Sequence, residues 1–240
     1  MKKRRPVRTR GFLYWGIACL LIAVLGLVPG YFMPIIRGTY KDLTPLMPLH
    51  TLSVTIWMLL VVTQPALVVS DNVRQHKRNG VVGAVVAFAV VVTGLVVQLE
   101  VMAYYAALGD VGNAVLTPFF RFVTLLVFAF AVWAALIYRH HSDWHKRLVL
   151  LGTFAILEAP LGRLAGHLPG AGDDSGLLAA VGHTLLMAAF VIWDRLANGR
   201  FHPASLWGSV TIVLINFATA PLAYSQWWED DAAALAKAVA

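Results

Sequence analysis

Seven long apolar stretches, separated by short polar or basic turns, set the pattern of this chain. They run over 12–33, 46–70, 81–106, 117–138, 147–168, 177–195 and 205–224. Each is close to the roughly 20 residues that a helix needs to cross the hydrocarbon layer of a bilayer. A helix also pairs its backbone polar groups within one segment, as lipid demands. The pattern predicts an all-α fold, a polytopic membrane helix bundle of seven transmembrane helices in a single domain over 1–240. Residues 1–11 form a basic N-terminus, 12–224 the bundle and 225–240 a short tail. Short connections make consecutive helices antiparallel neighbours.

Composition agrees with lipid as the main solvent. The chain is 59% hydrophobic and 13% charged, against about a quarter charged in soluble domains. The first stretch follows basic residues, as a signal peptide would. It is too long for a signal core and lacks a small-x-small cleavage site before Tyr31, so a retained helix is expected.

The net charge of +7 is unevenly spread. Lys2, Lys3, Arg4, Arg5, Arg8, Arg10, Arg74, Lys77, Arg78, Arg139, Lys146, Arg147, Arg195 and Arg200 fall on one side of the spans, and Arg37, Lys41 and Lys237 on the other. The positive-inside rule then places the N-terminus in the cytoplasm and the C-terminus outside, in a multi-pass protein of the inner (plasma) membrane. Asp173, Asp174, Glu229, Asp230 and Asp231 fall outside. The charge reads as a topology signal, with no nucleic-acid partner implied. Cys19 is the single cysteine, so neither an internal disulfide nor a thiolate metal site can form.

Spans two to seven read as three hairpins with a shared order: a polar residue, a tryptophan, a histidine at the turn, then a glycine. The copies are His50, Trp57, His76, Gly83; Arg121, Trp133, His145, Gly152; and His183, Trp193, His202, Gly208. Duplication and the common clustering of Trp, His and Lys at membrane boundaries both account for this.

Ionisable residues inside spans are costly and turn toward the bundle interior or a cavity. In the second span, His50, Trp57, Gln64 and Asp71 recur every seventh residue, which keeps them on one stripe. Gln64 precedes Pro65, an expected kink. The fifth span carries Glu158, Arg163 and His167, with Pro160 loosening its backbone, and Arg163 and His167 share a face. Helix rise puts Glu158 near mid-membrane. His50, Gln98, Glu100, Arg121, Glu158, Arg163 and His183 all belong to the outer half, predicting a polar pocket there. Asn216 lies near the middle of the last span. At the other end, His76, His140, His141, His145 and His202 sit in or beside basic turns, with Asp71, Asp143 and Asp194 near in sequence, and solvation alone accounts for most of them.

Three functions fit the outer set. In a haem-b redox protein, His50 and His183 are the axial ligands, Arg121 and Arg163 anchor the propionates, and Trp57 packs on the macrocycle. In a metal-dependent membrane enzyme acting on a lipid or amphiphile, His50, His183 and Glu158 bind zinc or iron, with Glu158 and Glu100 as catalytic carboxylates. In a proton-coupled transporter, Glu158, the arginines and the histidines carry protons or an anionic substrate. A quinone, a lipid or another small molecule is the expected partner, beside the bilayer itself.

The placement of His50, His183, His76 and His145 loosely resembles the bis-histidine membrane cytochromes b, which carry ligand pairs near both membrane faces. That resemblance implies a haem at the outer pair and a second at the inner pair, although the inner histidines fall in turns. The run His50, Trp57, Gln64 followed by His76-Lys77-Arg78 also resembles bacterial multi-pass inner-membrane proteins with a His-x6-Trp-x6-Gln helix, which implies the fold alone.

Overall fold

The computed structural model describes residues 8–39, 44–170, 172 and 175–239. The basic run Lys2 to Arg5, together with Lys41, Asp173 and Asp174, lies outside the described residues. Helix α1 spans Arg8–Leu27 and continues through a π-helical turn, Val28–Phe32, that contains Pro29. The rest of the chain forms α2 Met47–Val69, α3 Val73–Ala107, α4 Val111–Ile137, α5 Ser142–Ile156, α6 Glu158–Gly166, α7 Ser175–Asn198, α8 Pro203–Ala223 and α9 Gln226–Val239. No strand occurs among the described residues.

Seven of these segments are long and apolar enough to cross a membrane, with α5 and α6 together making the fifth. The chain is an integral membrane protein with an all-α, seven-helix bundle. Apolar side chains cover its outside, as lipid requires: Val85, Phe88, Leu126, Phe130 and Leu214 are all more than 60% exposed. The core lies where α1, α2, α4, α5 and α7 meet, around Trp57, Phe128, Phe154 and Phe190. Trp15 stands edge-on to Phe154 and Phe190 at 5.6 and 5.5 Å, the geometry that ring quadrupoles favour.

Two boundaries differ from the expectation. The third span was expected to begin at 81, yet α3 starts at Val73, capped by the Asn72 side chain, which accepts from the Gln75 amide at 3.2 Å. Basic residues hide this turn from a hydropathy reading but form helix readily. His76 and His145 therefore sit in the first turns of α3 and α5 rather than in loops. The tail, expected as residues 225–240, is mostly helix α9 packed on α3 and α4. Trp228 donates to the Val115 carbonyl at 2.9 Å and meets Phe119 edge-on, and Ala232 closes a small cluster with Met102 and Val115.

Candidate functional site

Antiparallel packing brings parts of α1, α2, α3, α4, α5 and α6 around one cavity of about 120 Å³. Its polar lining is His50, Thr51, Gln98, Arg121, Thr124 and Arg163, and its apolar walls include Leu27, Val54, Met58, Leu125 and Ile156. No acidic side chain lines it among the described residues.

His50 is held by a short relay. Thr93 Oγ1 donates to the Ala89 carbonyl at 2.6 Å, the usual threonine bond one turn back along a helix. Its hydroxyl proton thus committed, Thr93 can only accept from His50 Nδ1, 3.0 Å away. The neutral ring therefore carries its proton on Nδ1 and leaves a bare Nε2 acceptor. No partner for Nε2 occurs among the described residues. Gly94 gives the ring its space, since a Cβ there would stand 3.0 Å from His50 Cε1 and 2.9 Å from Leu125 Cδ2.

Arg121 reaches Glu158 across the bundle, NH1 to Oε2 at 2.7 Å, with each side chain about a quarter exposed. Glu158 stands there because the fifth span breaks just before it. Pro160 has no N–H to offer Ile156, and its ring crowds that carbonyl. Leu157 then closes a tight turn by donating to Phe154 O at 3.0 Å, and α6 restarts at Glu158. Arg163, five residues further on, lays its side chain across Gly30 of the π-helical turn, where a Cβ would sit 2.9 Å from Arg163 Cδ. His167 follows on the same face and donates from Nδ1 to the Arg163 carbonyl at 2.8 Å.

The structure brings His50, Arg121 and Arg163 together as lining residues, with Gln98 beside them and Glu158 paired behind. It does not bring His183 to them. That ring is 1% exposed and absent from the lining. Its Nε2 donates to Phe154 O at 2.9 Å, and its Nδ1 accepts from Asn216 Nδ2 at 2.7 Å. Both nitrogens are used in joining α7 to the break in the fifth span and to α8. The expected pairing of His50 with His183 is not seen, and a carbonyl within the broken span and an amide on α8 take up the second imidazole. Two-sided haem ligation would need an open nitrogen on each ring, and the cavity lies below the ~300 Å³ at which ordinary ligand pockets begin. The residues do not fit that group. Trp57, expected against a macrocycle, is a core residue that donates to Thr153 Oγ1 at 3.2 Å and meets Phe128 edge-on.

The expected metal set His50, His183 and Glu158 is likewise not assembled. Among the described residues no group of three or more His, Cys, Asp or Glu side chains could hold a metal ion. Glu100 does not line the cavity, and one of its carboxylate oxygens is buried without a partner among the described residues.

A second polar assembly occupies the basic end of the bundle. Arg147 and Asp194 are 1% and 0% exposed and form a two-pronged pair, Nε to Oδ2 at 2.9 Å and NH2 to Oδ1 at 2.7 Å. Arg147 also donates to the Asp143 carbonyl, while Ser205 and Asn198 donate to the Asp194 carboxylate. His202 lies beside this group against Trp144. Burial, then the Arg147 charge, holds its imidazole below the ordinary value. Nearby, His76 and His145 stand edge-on, ring centres 6.5 Å apart. The Gln64 amide, with its nitrogen toward His76, donates to His76 Nδ1 at 2.8 Å and accepts from the Gly80 N–H. His145 Nδ1 donates to Ala135 O at 2.8 Å.

Sequence reasoning missed Thr93, the role of Asn216 as partner to His183, and the Arg147–Asp194 pair. Thr93 was findable as a polar residue within an apolar span. Asp194 was findable as a carboxylate inside an apolar helix, which demands a cation from elsewhere. No known protein family, curated protein or solved structure matches the chain.

Proposed function

We propose that this protein binds a small anionic molecule, or the anionic head of an amphiphile, in the cavity between α1 and α6, and that it handles lipid or solute within the membrane. One observation carries the reading: Arg121 spends a single N–H on Glu158, and its remaining donors have no partner among the described residues while it lines the cavity. A guanidinium offers five donors in a fixed fork suited to oxyanions. The apolar walls lower the local dielectric and strengthen such contacts. A cavity of about 120 Å³ holds more than a single water. It is a volume for a headgroup or a small acid.

The basic end of the bundle, carrying Arg10, Arg74, Lys77, Arg78, Arg139, Lys146, Arg195 and Arg200, faces the cytoplasm under this proposal, in the inner membrane. The cavity then opens from the outer half. The test is native mass spectrometry of the protein in phosphatidylcholine nanodiscs, challenged with anionic and zwitterionic lipids and with small soluble acids. Anionic ligands are expected to be retained by the wild-type protein and lost in Arg121→Gln. Equal retention of zwitterionic and anionic ligands overturns the reading.

A further inference from the structure

Among its polar lining the cavity sets a donor-only side chain, Arg121, together with an acceptor on His50, and this pairing restricts what can occupy it. This step rests on the anion-binding reading above. Arg121 supplies donors alone. His50, locked by the Thr93 relay with its proton on Nδ1, supplies an acceptor at Nε2. An occupant must therefore present anionic oxygen toward Arg121 and an O–H or N–H toward His50. Both lie on the wall of one small cavity, so one small occupant can meet both.

A carboxylate offers acceptors alone, and so does a phosphodiester. Either would satisfy Arg121 and leave Nε2 buried beneath it without a partner, which is unfavourable. A singly protonated phosphate monoester carries P–O⁻ and P–OH on the same phosphorus, and its second ionisation near pH 6 leaves about half in that form at pH 6 and roughly a tenth at pH 7. We infer that the cavity selects phosphate monoesters, with the anionic oxygens on Arg121 and the P–OH donated to His50 Nε2. Thr93 is a positioning residue, since it fixes which ring nitrogen carries the proton.

The chemistry is shared by a monoester lipid and by free or soluble phosphate, and the experiment separates the two. Protein in phosphatidylcholine nanodiscs is titrated at pH 6, where the singly protonated form is abundant, with phosphatidic acid, with its phosphate methyl ester, with oleate, with glycerol 3-phosphate and with inorganic phosphate. Occupancy is read by native mass spectrometry. Phosphatidic acid is expected to bind about tenfold or more tightly than its methyl ester, the factor that one unpaired buried acceptor costs. Oleate should resemble the methyl ester. In His50→Phe that ratio should fall to near one. In Thr93→Val, which leaves the imidazole in place, the ratio should shrink severalfold. Retention of the soluble monoester or phosphate as strongly as the lipid supports a soluble occupant, and retention of the lipid alone supports a lipid occupant.

Equal binding of monoester and methyl ester by the wild-type protein overturns the inference while leaving the anion-binding reading intact. Failure to retain any anion overturns both. A ratio unchanged in both His50→Phe and Thr93→Val also overturns the assignment to His50. Size-exclusion profiles and the α-helical circular dichroism of each variant show whether it has folded.

Discussion

Among the described residues, two arginine–carboxylate pairs join separate helices of this bundle, and they are built for opposite purposes. Arg147 and Asp194 are sealed from solvent, share two hydrogen bonds, and have further partners in Asp143, Ser205 and Asn198. Arg121 and Glu158 share one contact, remain about a quarter exposed, and border a cavity. A buried charge is stable only when its donors and acceptors are all satisfied. The first pair meets that condition within the protein and acts as a clamp between α5 and α7. The second leaves guanidinium donors open to a guest. The two deep histidines repeat the contrast, with both nitrogens of His183 engaged and one nitrogen of His50 left bare.

The contrast breaks most visibly at the clamp. Asp194→Ala strips the buried Arg147 of its two-pronged partner and leaves it only the exposed Asp143 carboxylate at 3.5 Å, and a loss of roughly 3–5 kcal/mol is expected. Thermal unfolding in detergent, followed by circular dichroism, measures it. A loss below about 1 kcal/mol would mean that the pair does not clamp the bundle.

Next comes Asn216→Ala, which strips the partner from His183 Nδ1 and should cost about 1–3 kcal/mol. Anion retention should stay unchanged. A variant that keeps its melting point but loses the ligand would move His183 into the binding site. Arg121→Gln should do the reverse, costing no more than about 1 kcal/mol, as half-open ion pairs do, while ligand retention falls by at least tenfold.

The smallest effect concerns His202. Its imidazole protonates less readily in the folded protein than the ordinary ~6.5 allows, so the unfolded chain binds more protons below that value. Stability is then complete above about pH 6.5 and declines as pH falls below it. Melting at pH 7.5 and pH 5.5 should differ less in His202→Asn than in the wild type. An equal difference would remove His202 from the account.

The seven spans were legible because length and apolarity are read directly from the chain. The stripe of His50, Trp57 and Gln64 was legible too, since a seven-residue period keeps a helix face constant, and all three turn toward polar partners on other helices. The start of α3 was hidden, because hydropathy marks the lipid-facing part of a helix and Arg74, Lys77 and Arg78 carry it into the basic end. His183 was legible as a deep histidine but not as a satisfied one. Its acceptor is a backbone carbonyl, Phe154, beside a turn forced by Pro160, and side-chain patterns do not announce such an acceptor. Arg147 and Asp194 stand 47 residues apart. Arg147 lies in a run of cations that topology alone explains, so nothing local joins it to its partner.

The seating of α9 sets an order of events during biogenesis. Trp228 reaches back 113 residues to the Val115 carbonyl, and Ala232 completes the cluster around Met102. At ribosomal rates of about 5–20 residues per second, the hairpin of α3 and α4 waits on the order of ten seconds for this closing piece. During that interval the ends of those helices lack their final neighbour, so a transcript cut short before Gln226 should yield a chain that inserts yet stays vulnerable to quality-control proteases.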